Sequence, residues 1–496
     1  MTGTLFNGTI SNDLWNFFLS DYESLLLEVR PQMLNVECGD SLCLSRGVFL
    51  LAVIVFFVPC LAFASVGGLD CTFGTCGMAF ASHANNYAQG DAMAIYTSGT
   101  YTGKFVVAGT VEGSGGTDDF CAARFNSNGS LDTSFYSTGW APAIDFSGSY
   151  DRPGGVAVYS GGTHDGKVVV VGSANISSKD NLAVVRYNAD GSLDTTFGSS
   201  GLFSALIGGT SSYWTDVVID SSNKIYVVGT ISSNLSAIVR LNENGGLDTS
   251  FSTDGIQTVN VSTAGSQMEG FVSVALSGSS IWAGGWACDT SGDNWYQIVK
   301  FDTSGNLDTS FSGDGILMLS VNTGSHGNGF IAVQTDGKVL IGGYADDTNN
   351  VRDFGIARVN TDGSLDTTFS GDGKVLVDVG GSSDELYGLA VQSDGKIVAV
   401  GVAYDFGIVR LNSDGSLDTT FGNGGKNLYE LGDDDRPYAG VVIQSDGKIV
   451  SGGWSGPSDN RKFALTRTAI TSSAMSYCAG ITTQPTTTSV MQTKTA

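Results

Sequence analysis

Apolar residues along most of this chain fall in short runs, and each run breaks at glycine, aspartate or both. The stretch from 388 to 411 shows the pattern at its cleanest. Gly388-Leu389-Ala390-Val391 leads into Ser393-Asp394-Gly395-Lys396, and Ile397-Val398-Ala399-Val400-Gly401 follows. After a variable stretch comes Phe406-Gly407-Ile408-Val409-Arg410-Leu411. Short Val- and Ile-rich runs punctuated by Asp-Gly predict strands joined by tight turns. A further turn at Ser413-Asp414-Gly415 and a fourth run, seen one unit earlier as Lys374 to Val379, complete a unit of four strands.

The unit recurs. A phrase of Leu, Asp, two small residues and Phe returns at Leu69 to Phe73, Leu131 to Phe135, Leu193 to Phe197 and Leu247 to Phe251. It returns again at Leu307 to Phe311, Leu365 to Phe369 and Leu417 to Phe421. Successive phenylalanines lie 62, 62, 54, 60, 58 and 52 residues apart, a period that signals stacked or radially arranged units. Seven runs match the first strand of the unit: Ala92 to Ile95, Val156 to Tyr159, Asp216 to Ile219, Val272 to Ala275, Phe330 to Val333, Gly388 to Val391 and Val441 to Ile443. The expected fold is all-β, a seven-bladed β-propeller of four-stranded antiparallel blades. The last unit stops after Phe463-Ala464-Leu465-Thr466-Arg467, and the phrase at Leu69 precedes any complete unit. The segment Gly77 to Ala81 is therefore expected to supply the outer strand of the last blade, closing the ring and removing exposed sheet edges.

The form Asn-x-Asp-Gly-x-Leu-Asp-Thr-Thr-Phe-Gly, with Ser-Asp-Gly-Lys-Ile-Val upstream, resembles the delta-60 repeat family over residues 69 to 467. The first unit departs from it at Cys71 and at Tyr101-Thr102-Gly103-Lys104, and the fourth at Ser277-Gly278-Ser279-Ser280. The resemblance implies a β-propeller of secreted and surface-exposed bacterial proteins and no shared catalytic residues. Within the phrase, Leu and Phe read as buried anchors and Asp as the acceptor of an Asx turn. Calcium is the rival reading, because Asn412, Asp414 and Asp418 are oxygen donors at short spacing. The loops lack the alternating Asp pattern and terminal Glu of a calcium loop, so no cofactor is assigned and calcium stands as the alternative.

Ahead of the repeats, Arg46 precedes the apolar block Val48 to Val58, and Ala62-Phe63-Ala64 matches a signal-peptidase site. Residues 1–64 are read as a leader with an export signal, 65–470 as the propeller and 471–496 as a polar Thr-rich tail. Initiation at Met33 would give a leader of ordinary size, leaving residues 1–32 untranslated. The expected location is secreted, periplasmic or at the cell surface, with no stable membrane insertion after leader cleavage. Five cysteines follow the leader, Cys71, Cys76, Cys121, Cys288 and Cys478, and an odd number leaves at least one thiol unpaired within the chain. The formal net charge of −25, with only 24 Lys and Arg, excludes a basic nucleic-acid surface.

In a four-stranded meander, the turns between strands one and two and between three and four share a face. Here that face carries the monotonous Asp-Gly-Lys turns and the Leu-Asp phrases. The opposite face carries loops that vary from blade to blade, where propellers place function. The candidate ligand-binding residues on it are Tyr87, Tyr150, Asp151, Arg152, Tyr213, Trp214, Asp384, Glu385, Tyr387, Asp433, Asp435 and Tyr438. Aromatic rings beside carboxylates suit a sugar or peptide, so the expected activity is a binding scaffold for an extracellular glycan, peptide or envelope protein. Two alternatives stand beside it. One is a calcium-dependent hydrolase or lyase using Asp384, Glu385 and Asp433, and the other is a structural envelope protein. Histidine occurs three times, at His83, His164 and His326, in non-equivalent places, and no catalytic residues are assigned.

Overall fold

The computed structural model describes residues 66–470, apart from residues 85–86, 114–115, 233–234, 263–268, 323, 382 and 433. The leader, the tail with Cys478, and Asp433 lie outside the described residues. Seven sheets form. The first blade holds β2 (Ala88–Ile95), β3 (Phe105–Glu112) and β4 (Asp118–Phe125), and the second β5 (Asp151–Val158), β6 (Val168–Ile176), β7 (Lys179–Tyr187) and β8 (Leu202–Ala205). The third runs β9 (Ser212–Ile219), β10 (Ile225–Ile231), β11 (Leu235–Leu241) and β12 (Ile256–Val259). The fourth runs β13 (Glu269–Ser277), β14 (Ser280–Cys288), β15 (Asn294–Phe301) and β16 (Ile316–Leu319), and the fifth β17 (His326–Val333), β18 (Val339–Asp346), β19 (Arg352–Val359) and β20 (Lys374–Val377). The sixth contains β21 (Glu385–Val391), β22 (Ile397–Ala403), β23 (Asp405–Leu411) and β24 (Lys426–Tyr429).

The seventh blade joins the two ends of the described chain. β25 (Asp435–Ile443), β26 (Ile449–Ser455) and β27 (Lys462–Thr468) are completed by β1 (Met78–Ala81), with Met78 opposite Thr466 and Ala81 opposite Phe463. The phrase at Leu69 serves this blade, as expected, with Leu69 bridged to Thr468. One blade departs from four full strands. In the first, the outer strand shrinks to bridges from Trp140 to Ala123 and from Ile144 to Phe120. Pro142 lies between them and has no N–H to give a ladder.

There is no single core. Seven apolar layers lie between adjacent blades, and each draws side chains from two neighbours. The phenylalanine of every phrase is fully buried in one of these layers. The phrase aspartate uses both of its oxygens. In the sixth blade Asp418 Oδ1 accepts from Thr420 N at 3.1 Å and Thr420 Oγ1 at 2.6 Å, which is the Asx turn. Its Oδ2 meets Arg410 Nε at 2.8 Å and Lys396 Nζ, from the Asp-Gly-Lys turn, at 3.0 Å. Arg410 also lies over the Phe421 ring, 4.5 Å from its centre. The same Arg-Asp-Lys-Phe staple is built on Arg124, Arg186, Arg240, Arg358 and Arg467. In the first blade Lys104 supplies the lysine despite its unusual turn. The fourth blade alone has Lys300 in place of the arginine, 2.8 Å from Asp308.

Candidate functional site

On the variable face, five of the seven inner strands begin at, or one residue after, an acceptor turned back on the loop preceding the strand. Asp151 Oδ2 accepts from Phe146 N at 2.7 Å, and Asp384 Oδ2 from Val379 N at 2.6 Å and Gly380 N at 3.0 Å. Asp435 Oδ2 accepts from Leu431 N at 2.5 Å and Gly432 N at 2.9 Å. Glu269 does the same for Val261 N at 2.9 Å, and His326 Nε2 for Val321 N at 2.9 Å. All five are buried. Loop amides that would otherwise lack partners are satisfied in this way. Burial pushes the Asp151 carboxyl up to about 7, and neighbouring Asp145 and Asp119 add repulsion. Asp151, Asp384 and Asp435 thus hold loops, a role indistinguishable in sequence from a ligand-facing carboxylate at a strand start.

The other candidates divide. Trp214, expected to face a ligand, is buried in the layer between the second and third blades, its indole N–H donating to Ser212 Oγ at 2.9 Å. Tyr150, Tyr213 and Arg152 are exposed. Tyr87, Glu385, Tyr387 and Tyr438 come together with residues outside the candidate set. Each inner strand carries a register break opposite a glycine of its neighbour: Gly109, Gly172, Gly229, Gly285, Gly343, Gly401 and Gly453. A Cβ on Gly401 would collide with the carbonyl oxygen of Glu385, and one on Gly453 with that of Arg436. Bulges re-aim side chains. Tyr387 and Asp91 occupy bulges, and Tyr438 lies within the longer break of β25.

The result is an arc crossing the fifth, sixth, seventh and first blades. Tyr387 and Tyr438 rings lie 4.5 Å apart, and Trp454 lies 6.4 Å beyond Tyr438. The Arg461 guanidinium sits 3.8 Å from the Trp454 ring centre and 5.8 Å from that of Tyr87. It donates to Gln89 Oε1 at 2.8 Å, and Gln89 Nε2 donates to Asp91 Oδ1 at 2.9 Å. At the other end, Arg352 stacks 4.1 Å from the Tyr344 ring centre and pairs with Glu385, which accepts from Tyr387 Oη at 2.7 Å. Asp91 is pushed up to about 7, first by burial and also by the nearby Asp118, against hydrogen bonds from Gln89 and Thr110. Aromatic faces alternating with donors and acceptors can grip a molecule that is apolar on its faces and polar at its edges.

Trp454, Tyr344, Arg461 and Arg352 were missed because they belong to strands or their ends, not to the loops entering the inner strands. A signal exists nonetheless. Three blades carry an aromatic directly after a Gly-Gly pair, at Trp286, Tyr344 and Trp454, where the others have Thr110, Ser173, Thr230 and Val402 after a single glycine. A separate cleft of about 460 Å³ opens on the monotonous face between the second and third blades, lined by His164, Arg186, Lys224 and Glu243 among others. Its polar groups already have partners: His164, whose pKa is lowered by burial, lies 3.1 Å from Glu243, Arg186 pairs with Asp194 at 2.7 Å and Lys224 with Asp248 at 2.9 Å. It is part of the staple machinery.

No curated protein matches the sequence. Among solved structures, a protein of unknown function from Dyadobacter fermentans is 8% identical, covering 79% of this chain and 98% of its own, at a TM-score of 0.41. Sqt1 from Chaetomium thermophilum is 13% identical, covering 80% and 98%, at 0.45. A PL25 ulvan lyase, a polysaccharide lyase, is 11% identical, covering 82% and 95%, at 0.44. None of these likenesses bears on what this chain does. A family model described as a β-propeller domain of unknown function, DUF5122, matches residues 102–135, 164–197, 221–251, 334–369 and 392–421. The matched segments run from the Asp-Gly-Lys turn or its equivalent to the phrase phenylalanine, so the repeat of this chain is that of the DUF5122 β-propeller family, with which the delta-60 reading agrees.

Proposed function

We propose that this propeller is a binding scaffold of the secreted, periplasmic or cell-surface compartment, and that it holds an oligosaccharide on the arc of the variable face. The observation that carries the reading is the stack of the half-buried Tyr387 and Tyr438, backed by the buried Trp454 and flanked by Arg461 and Tyr87. Four blades contribute to it. Sugar rings offer an apolar face to tyrosine and hydroxyl edges to groups such as Glu385, Gln89 and Asp91. A peptide would be met by the same rings but would demand free backbone donors and acceptors, whereas the arc is made of side chains.

A glycan array probed with the full chain, followed by calorimetry on the best hit, tests this. Each tyrosine ring is worth about 0.5–1.5 kcal/mol beyond its buried area, so Tyr387→Ala with Tyr438→Ala should weaken binding by about tenfold or more. Tyr150→Ala and Tyr213→Ala, exposed and outside the arc, should leave it unchanged. Binding that survives the first pair and falls with the second moves the site off the arc. An array on which peptides alone bind overturns the saccharide assignment.

A further inference from the structure

Asp119 is 7% exposed, and its buried Oδ1 has no hydrogen-bond partner. It is the second residue of β4, and it does not stand alone. Carboxylate oxygens of Asp119, Asp145 and Asp151 all lie within 4.8 Å of one another, and among the described residues no lysine or arginine forms an ion pair with any of the three. Asp145, in the loop entering the second blade, is exposed and uses Oδ1 to accept from Ser147 N at 2.9 Å. Asp151 is fully buried; its Oδ2 holds Phe146 N while its Oδ1 has no partner. Buried charges are normally paired or coordinate a metal.

The arrangement recurs at the junction of the fifth and sixth blades. There Asp353, Asp378 and Asp384 take the same three positions, again within 4.8 Å, and Asp384 Oδ1 is again without a partner. Lys426 differs: its Nζ donates to the carbonyl oxygen of Asp378, bringing positive charge that the first triad lacks.

We propose that Asp119, Asp145 and Asp151 hold a divalent cation of the calcium class at the junction of the first and second blades. Calcium takes six to eight oxygens in flexible geometry, whereas magnesium demands a tight octahedron. A triad with one exposed member suits the first. Three carboxylates leave the remaining positions to water, which places the affinity with extracellular modules, at about 0.1–1 mM. The cation would tie a strand end to the loop entering the next blade, beside the exposed Tyr150.

The test is calcium titration of chelator-treated full chain by calorimetry and thermal melt, with magnesium in parallel. The background is Asp378→Asn, so that only the first triad reports. Calcium should bind and raise the melting temperature at millimolar concentration, and magnesium should do so less. Adding Asp145→Asn, at an exposed position that does not threaten folding, should weaken calcium binding by about tenfold or more. Asp119→Asn should melt no lower than its parent in chelator, because it removes an unpaired buried charge, and should lose the calcium-dependent rise. The proposal is overturned if calcium binding vanishes with Asp378→Asn alone, if Asp145→Asn binds calcium as its parent does, or if the parent takes none.

Discussion

At the scale of single residues, the most informative group is the phrase aspartate. Burial alone would raise the Asp418 carboxyl, but hydrogen bonds from Thr420 and Lys396 and the charge of Arg410 outweigh it and hold the group well below the usual range. A carboxylate depressed in the folded state contributes stability that is complete above its unfolded value near ~4 and is lost only as pH falls through the folded value. Both partners of the Arg410–Asp418 pair are nearly fully buried, so Arg410→Met should cost about 3–5 kcal/mol in denaturant unfolding. The difference should persist from neutrality down to pH 4 and shrink only below it. A cost that fades between pH 7 and pH 5 would mean the staple is not what Arg410 supplies. The fourth blade shows the looser case: Lys300 replaces arginine, no lysine comes from the turn at Ser277 to Ser280, and Asp308 is correspondingly more exposed.

At the scale of elements, strands were legible because the sequence alternates short apolar runs with turn residues at a steady period. All seven expected inner runs fall on β2, β5, β9, β13, β17, β21 and β25, with only Tyr159 lying beyond its strand. The bulges were not legible. Gly401 ends an apolar run and reads as a turn residue, yet its meaning comes from the carbonyl of Glu385 on the neighbouring strand, and a cross-strand contact leaves no local mark. The same reason hid the burial of Trp214, whereas the shrunken outer strand of the first blade did leave a local mark, Pro142. Of the arc, Tyr87, Glu385, Tyr387 and Tyr438 could be chosen as aromatics and acids in variable loops. Trp454 and Arg461 could not, because a strand aromatic reads as core until its neighbours are known. The bulge carries its own prediction. Gly401→Ala forces β22 away from β21, and overpacking of this kind costs about 1–3 kcal/mol. It should also disturb Tyr387, so any ligand found for the arc should bind Gly401→Ala more weakly than wild type, measured under conditions where the variant remains folded.

At the scale of the whole molecule, stability is distributed over seven similar layers, and the ring is shut by β1 against β27. Deleting Met78–Ala81 leaves β27 as an open edge with unpaired N–H and C=O groups, the kind of edge that recruits another chain. The expected outcome is a lower melting temperature together with dimers or larger species in light scattering. A monomer as stable as wild type would show that the closing strand is dispensable.

Closure also imposes an order in time. β1 is made first among the described strands and β27 last, so the earliest segment cannot find its partner until nearly all the rest has been synthesised. Such long-range pairing is slow, and the waiting edge is open to misassembly. The ring therefore works as its own completeness check: a polypeptide that stops short of β27 has a first strand with nowhere to go.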